Sequence, residues 1–359
     1  MTVSATVSAA SLRSREGSDR AFCDAMLPKV SRTFAISIRL LPTGLERPVL
    51  ISYLLCRIAD TIEDSPNVAA ERKAELLGTF ASTLDPDARP ATVLRETFAA
   101  PANDEEMLAR EAETVLREYR RLPSEQRRAV QPWIQEMCGG MAEFACRHGQ
   151  SYQTRVAALS TMTELERYCY FVAGTVGHLL TRLFEGHGAG WTQQRRERLE
   201  GLATSFGLGL QLTNIIKDVA DDRRRGWIFV PQELCQLEGI DPAHLQDAAH
   251  REAGRGVMQL LIAKAQGHLV DALEYSRTLP RRQYGIRLFC LSALYFAVRT
   301  LRLAEGNDRL LDPAHRLKIS RSEVYRTLTA ARIVAPSNTL VAWYFRTLAG
   351  SDWNATSRL

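Results

Sequence analysis

The sequence predicts an all-α protein, a single domain built around a central apolar cavity, and three observations carry that expectation. Apolar residues recur with period 3.6 along most of the chain, while strict apolar–polar alternation is nearly absent. No fixed-period repeat and no long linker divides it. Its 359 residues are 45% hydrophobic and 24% charged, an ordinary globular composition that can furnish one sizeable core.

Residues 1–19, rich in Ser and Ala with charges from Arg13 onward, lack the apolar run of a signal peptide and read as a disordered tail. Helices follow over 20–39, 45–63, 69–84, 104–121, 124–148, 163–184, 192–222, 242–278, 282–304, 320–334 and 338–348. Pro42, Pro66, Pro101, Pro123, Pro242, Pro280 and Pro336 punctuate them. Thr163-x-x-Glu166 and Ser320-x-x-Glu323 have the form of capping boxes at two helix starts. The apolar run Leu288 to Val298 is too short to span a bilayer and suits a buried helix. Gly174, Gly177, Gly207 and Gly209 fall inside helices, where each costs about 1 kcal/mol against Ala; close helix approach, a kink, or room for something else would justify them. The domain is expected to span 20–350, with 351–359 as a C-terminal tail.

Lys and Arg number 46 and Asp and Glu 41, a modest net charge of +5. The only dense basic run is Arg223-Arg224-Arg225, so nucleic acid is not an expected partner. Seven cysteines without CxxC spacing indicate neither a disulfide framework nor a zinc site, and suit a reducing cytoplasm. The seven histidines lack metal-ligand spacing.

Two segments concentrate the chemistry: Tyr53 to Asp64, and Gln211 to Asp222. Residues three or four apart share a helix face. Asp60 and Asp64 therefore point the same way with Glu63 beside them, and Arg57 and Tyr53 extend the strip. In the second segment Asn214, Asp218 and Asp222 form one strip that Gln211 extends, with Lys217 and Asp221 alongside. Like charges at this spacing repel, and their flanks are apolar: Leu54, Leu55, Ile58, Ile62, Ile215 and Ile216. Such a strip is costly unless cations neutralise it. Hard divalent cations with oxygen ligands do so, and Mg²⁺ commonly bridges carboxylates to substrate phosphates. Two facing strips would bracket a diphosphate and stabilise it as a leaving group.

At these residues the sequence resembles the squalene/phytoene synthase family. Asp60-x-x-Glu63-Asp64 matches its first acidic motif, and Asn214-Ile215-Ile216-Lys217-Asp218 with Asp222 its second. Arg224-Arg225-Gly226 through Pro231 looks like the segment that follows. Ser31-Arg32-Thr33-Phe34, Tyr168-Cys169 through Gly177, and Lys318-Ile319 match further blocks, in order from about residue 20 to 345. The resemblance implies an isoprenoid synthase helical bundle that joins two farnesyl diphosphates head to head. It implies Mg²⁺ or Mn²⁺ held by Asp60, Glu63, Asp64, Asn214, Asp218, Asp221 and Asp222. Arg32, Arg57 and Lys217 would meet diphosphate oxygens, Ser31, Phe34 and Gln211 would contact substrate, Tyr53 would lie near the leaving diphosphate and Tyr168 near the cationic intermediate.

The Ser31 to Phe34 and Tyr168 to Gly177 blocks look like squalene synthases, whereas Asp222 to Gly226 looks more like phytoene synthases. Squalene formation would need NADPH, for which Asn214, Lys318, Arg321 and Arg225 are the implied residues. In squalene synthases a second basic residue follows two positions after the first; here that position is Ser320, with Arg321 next. The alternatives are a phytoene or dehydrosqualene synthase without NADPH, a non-catalytic lipid-binding or assembly member of the family, and a class I terpene cyclase. The expected location is cytoplasmic, with peripheral membrane contact for product release.

Overall fold

Helices form wherever an apolar stripe recurs every third or fourth residue, and burying those stripes against one another builds a single continuous core. The computed structural model describes residues 9–85, 90, 92–149, 157–224, 227–350 and 353. In chain order the elements are α1 (Ala9–Val30), α2 (Arg32–Ile38), α3 (Glu46–Asp64), α4 (Ala70–Ser82), α5 (Thr92–Thr97), α6 (Asp104–Arg110), α7 (Ala112–Arg121), α8 (Ser124–Gly149), β1 (Ala157–Ala158), α9 (Met162–Cys169), a π turn (Tyr170–Gly174), α10 (Thr175–Glu185), α11 (Gln193–Arg224), β2 (Trp227–Ile228), α12 (Gln232–Leu237), two 3₁₀ turns, α13 (Arg251–Thr278), α14 (Tyr284–Glu305), α15 (Arg321–Val334) and α16 (Asn338–Ala349). The only sheet among the described residues is the parallel pairing of β1 with β2, two residues each.

Several boundaries differ from expectation, each for a local reason. The first helix begins at Ala9, ahead of the tail boundary expected at residue 19. Asp19 is buried and bonded to Arg117 at 2.6 and 3.0 Å, which fastens α1 to α7. Burial would raise the Asp19 carboxyl pKa, but its bonds to Arg117 and Arg121 outweigh that and hold it below the usual range. A single helix over 20–39 is broken at Ser31, whose hydroxyl accepts the Phe34 N–H at 3.2 Å and caps α2. Thr161, not Thr163, caps α9 by accepting the Glu164 N–H at 3.1 Å. The 3₁₀ turns Pro242–His244 and Ala248–His250 precede α13, which starts at Arg251. At Ser320 the capping box forms as expected. Beyond α16, Trp353 is buried against Phe345 with ring centroids 5.8 Å apart, so this residue of the expected tail is packed on the bundle. Six of the seven cysteines are buried, Cys146 being the exposed one.

The helical glycines mark close backbone approach. A Cβ on Gly177 of α10 would overlap the Ala203 carbonyl of α11, and one on Gly207 of α11 would overlap the Ala173 carbonyl of the π turn. This reciprocal contact lets the two segments cross without intervening side chains. Gly207→Ala is expected to lower stability by about 1–3 kcal/mol through overpacking. Gly201→Ala, on the same helix with nothing within 4 Å of the added Cβ, is expected to be neutral or stabilising by up to about 1 kcal/mol. Urea unfolding midpoints distinguish the two; equal midpoints would contradict the close-approach reading.

Candidate active site

Helix α3 carries the first acidic strip because its other face is largely apolar: Ile51, Leu54, Leu55, Ile58 and Ile62 are fully buried and fix its rotation. Tyr53, Arg57 and Asp60 are left half-buried on the opposite side, Glu63 is buried and Asp64 is exposed. At the N-terminal end of the strip, the Tyr53 ring lies 5.5 Å from that of Phe34, and Tyr53 shares a hydrogen bond with Ser31. Ser31, Phe34 and Tyr53 therefore form one cluster, with Arg32 exposed on the first turn of α2.

Arg57 is shared between two carboxylates, Asp60 Oδ2 and Glu105 Oε1, each at 3.5 Å, and its Nε is buried without a hydrogen-bond partner. Burial opposes its charge, but Asp60, Tyr53, Glu105 and Asp64 together raise its pKa. Asp60 keeps 32% of its side chain open, yet protein atoms crowd it closely. That burial, offset by Arg57 and reinforced by Asp64, pushes its pKa up to about 6. Glu63 is pushed well above the carboxylate range, by burial first and then by Asp64 and Asp60. Its Oε1 has no partner. Its Oε2 accepts from the Tyr168 hydroxyl at 3.5 Å, and Lys73 donates to its backbone carbonyl.

The second strip sits on the C-terminal half of α11, held by burial of Leu212, Ile215, Ile216 and Val219. Gln211 is half-buried and Asn214 exposed. Lys217 pairs with Asp218 at 2.9 Å, and Arg224 pairs with Asp221. Arg316, from the segment before α15, also reaches Asp221, at 3.6 Å. Asp222 lines a narrow recess with Ile215, Val219, Ile228 and Phe229.

Two aromatic rings link Glu63 of the first strip to the recess that Asp222 of the second lines. Tyr168, on α9, reaches Glu63 of α3, and its ring stacks on Phe229 at 5.0 Å; Phe229 in turn shares the recess with Asp222. The β1–β2 pairing makes this possible, because it ties the exit of α11 to the entrance of α9, aided by the Gln232 N–H donating to the Leu159 carbonyl at 2.8 Å. Phe144 packs edge-on against Tyr168 at 5.3 Å. The π turn follows immediately, adding one residue to the helical register where Phe171 and Val172 remain half-buried.

The acidic strips, Arg57, Tyr53 and Tyr168 lie on the helix faces that their spacing predicts, and Glu105, Lys73, Phe229 and Arg316, which the sequence does not single out, contact them. Phe229 occupies an unspecified position of the Arg224 to Pro231 segment; the other three carry no sequence signal. Lys318 and Arg321 are exposed, and the Ser320 hydroxyl is engaged in the cap of α15. Arg225 lies outside the described residues. Among the described residues no three His, Cys, Asp or Glu side chains converge as a ready-made metal site. Instead Asp60, Asp218 and Asp221 are paired with Arg57, Lys217 and Arg224. The donor set still fits hard cations: oxygen ligands, a buried carboxylate oxygen without a partner on Glu63, and an Asp60 whose charge is under-compensated.

The family model of squalene/phytoene synthase matches residues 27–323. The squalene synthase of Eremothecium gossypii is 30% identical over 301 residues, covering 82% of this chain and 64% of that protein. Squalene synthase BSS of Botryococcus braunii is 29% identical over 333 residues, 91% and 66% of the two chains. This chain therefore spans just under two thirds of the length of these relatives. The solved structure of TcSQS with the ligand E5700 superposes with a TM-score of 0.77 at 25% identity, covering 95% of this chain and 93% of that one. A dehydrosqualene synthase structure shares the fold, with a TM-score of 0.63 at 20% identity. With both acidic strips, the tyrosine block and the family match falling on the same residues, the chain belongs to the squalene/phytoene synthase family.

Proposed function

We propose that this protein condenses two farnesyl diphosphates head to head into presqualene diphosphate and reduces that intermediate with NADPH to squalene. The observation that carries the reading is the run of contacts that links the two acidic strips, Asp60, Glu63 and Asp64 on one and Asn214, Asp218, Asp221 and Asp222 on the other: Glu63 meets Tyr168, Tyr168 stacks on Phe229, and Phe229 shares a recess with Asp222. These carboxylates would hold Mg²⁺, which when bound neutralises the diphosphate and eases its departure.

Arg57 offers its partnerless Nε to diphosphate oxygens beside Asp60. Tyr53, Ser31, Phe34 and Arg32 flank it at the end of the strip where a leaving diphosphate would sit, and Gln211 and Lys217 would meet substrate from α11. Tyr168 presents an aromatic face to the allylic cation left when pyrophosphate departs, and its hydroxyl stays protonated because burial and Glu63 raise its pKa far above neutral. Phe144, Phe171 and Phe229 add an apolar wall that keeps water from quenching the cation. NADPH, when bound, would supply the hydride for the second half-reaction; Lys318 and Arg321 are exposed cations for its phosphates, near the segment whose Arg316 touches Asp221, and Asn214 and Arg225 complete the implied set. One observation favours the phytoene or dehydrosqualene branch instead: Ser320 is committed to a helix cap and contributes no charge.

Incubation with farnesyl and with geranylgeranyl diphosphate, with and without NADPH, separates these outcomes by product mass. Squalene that appears only with NADPH is expected; a hydrocarbon with a central double bond, formed independently of NADPH, would replace squalene with the dehydro product. Arg57→Lys is expected to lower kcat/KM by roughly tenfold to a hundredfold although charge is kept, because the planar guanidinium's paired contacts are lost. Wild-type kinetics in that variant would reduce Arg57 to a counter-ion for Asp60 and Glu105.

A further inference from the structure

We propose that the outer face of the C-terminal hairpin, α15 and α16, docks on an anionic lipid bilayer. The first observation is charge. Residues 313–350 hold six cations, Arg316, Lys318, Arg321, Arg326, Arg332 and Arg346, and one carboxylate, Glu323, for a net of +5. The whole chain has 46 basic and 41 acidic residues, so everything outside this segment contains 40 of each and sums to zero. The protein's entire formal charge is thus carried by about a tenth of its length; of the six cations, Arg321, Arg326, Arg332 and Arg346 stand on α15 and α16 themselves, while Arg316 and Lys318 lie just ahead of α15. All six cations are exposed, and Glu323 is bonded at 2.6 Å to Arg299, outside the segment. Arg321, Arg326, Arg332 and Arg346 pair with no carboxylate among the described residues.

The second observation is the set of side chains interleaved with those cations. Both helices pack on α14 and on each other, so each leaves one face to solvent. Tyr325 and Ile333 on α15 are each 67% exposed, and Trp343 and Leu340 on α16 are 54% and 43% exposed. Tyr284 adds a half-open ring at the same end, its hydroxyl donating to the Arg332 carbonyl at 3.0 Å. Large apolar side chains in water beside unpaired arginines stabilise neither the helix nor the core. Together they match a bilayer interface, where Trp and Tyr settle at headgroup depth, Ile and Leu reach the acyl boundary, and Arg meets anionic headgroups. No described helix is long and apolar enough to cross a membrane, so the contact is peripheral. An acidic protein would satisfy the charges but leaves the spread of isolated aromatic and aliphatic side chains without a shaped counterpart, and a second copy would bring like charge against like.

The test is co-sedimentation of the full chain, without substrate, with phosphatidylcholine vesicles and with vesicles that also contain phosphatidylglycerol. Binding is expected only to the anionic vesicles and should weaken with salt. Arg326→Glu with Arg332→Glu should weaken it about tenfold or more, and Trp343→Ser with Ile333→Ser should also weaken it, with melting temperatures unchanged. Equal binding to neutral and anionic vesicles, no binding, or binding indifferent to both pairs would overturn the proposal. So would a dimer in light scattering that Trp343→Ser with Ile333→Ser converts to monomer, since the face would then belong to a second copy. Because no catalytic step is measured, failure here leaves the reaction assigned above untouched.

Discussion

Asp60→Ala, Asp64→Ala, Asp218→Ala and Asp222→Ala are each expected to cut turnover by roughly a thousandfold or more while the circular dichroism spectrum stays helical. The expected loss is large because, in the proposed mechanism, these carboxylates would hold the Mg²⁺ that neutralises the departing diphosphate, beside the aromatic wall of Phe144, Phe229 and Tyr168. The stability side of the same experiment runs the other way. Asp60 is crowded enough that its pKa rises to about 6, and burial pushes Glu63 well above the usual carboxylate range, so the folded state holds these groups against their preference for water. Asp60→Ala should therefore leave the melting temperature unchanged or raise it, the pattern of a site that trades stability for function. Near-normal activity in two variants, one from each strip, would remove the metal clamp from the mechanism.

Arg287→Met is expected to destabilise the fold by about 3–5 kcal/mol. Arg287 is fully buried in α14 and meets no carboxylate among the described residues. Its guanidinium donates to the carbonyls of Ser276 at 3.1 Å, Leu279 at 2.9 Å and Ala335 at 2.8 Å, and to Asn338 Oδ1 at 2.7 Å. The first two belong to the end of α13, and Ala335 caps α15, so one side chain satisfies the orphan carbonyls of two helix ends and pins α16 through Asn338. Methionine would fill much of the volume and leave those acceptors buried and unsatisfied. Urea unfolding of Arg287→Met beside Asn338→Ala checks this: the arginine variant should lose several times more, and a loss below about 1 kcal/mol would show that water or relaxation replaces its bonds.

Arg287 also shows where sequence stops informing. It flanks the apolar run Leu288 to Val298, and a charge at the edge of such a run reads as the point where a helix meets solvent. Nothing local reveals that carbonyls from residues up to 48 positions away converge on it. The acidic strips were legible for the opposite reason: spacing of three and four fixes the face of a helix without any knowledge of its neighbours. Arg57 and Tyr53 came with them. Glu63 could be placed on the strip, but its burial beneath Tyr168 and above Lys73 depends on contacts 105 and 10 residues distant. The π turn at Tyr170–Gly174 was invisible, because a single added residue does not disturb the apolar period enough to break it. The helix α1 was shortened in expectation since its Ser-rich start gives no stripe, while the pairs Asp19–Arg117 and Asp24–Arg47 that fasten it are long-range.

The central claim, two allylic diphosphates joined at one metal-dependent site, is tested most directly by stoichiometry in the absence of NADPH. With farnesyl diphosphate and Mg²⁺ the account predicts one pyrophosphate released for every two substrate molecules consumed, one presqualene diphosphate formed, and no turnover once a chelator is added. One pyrophosphate per substrate molecule, with a fifteen-carbon alcohol or cyclic hydrocarbon as product, would contradict it.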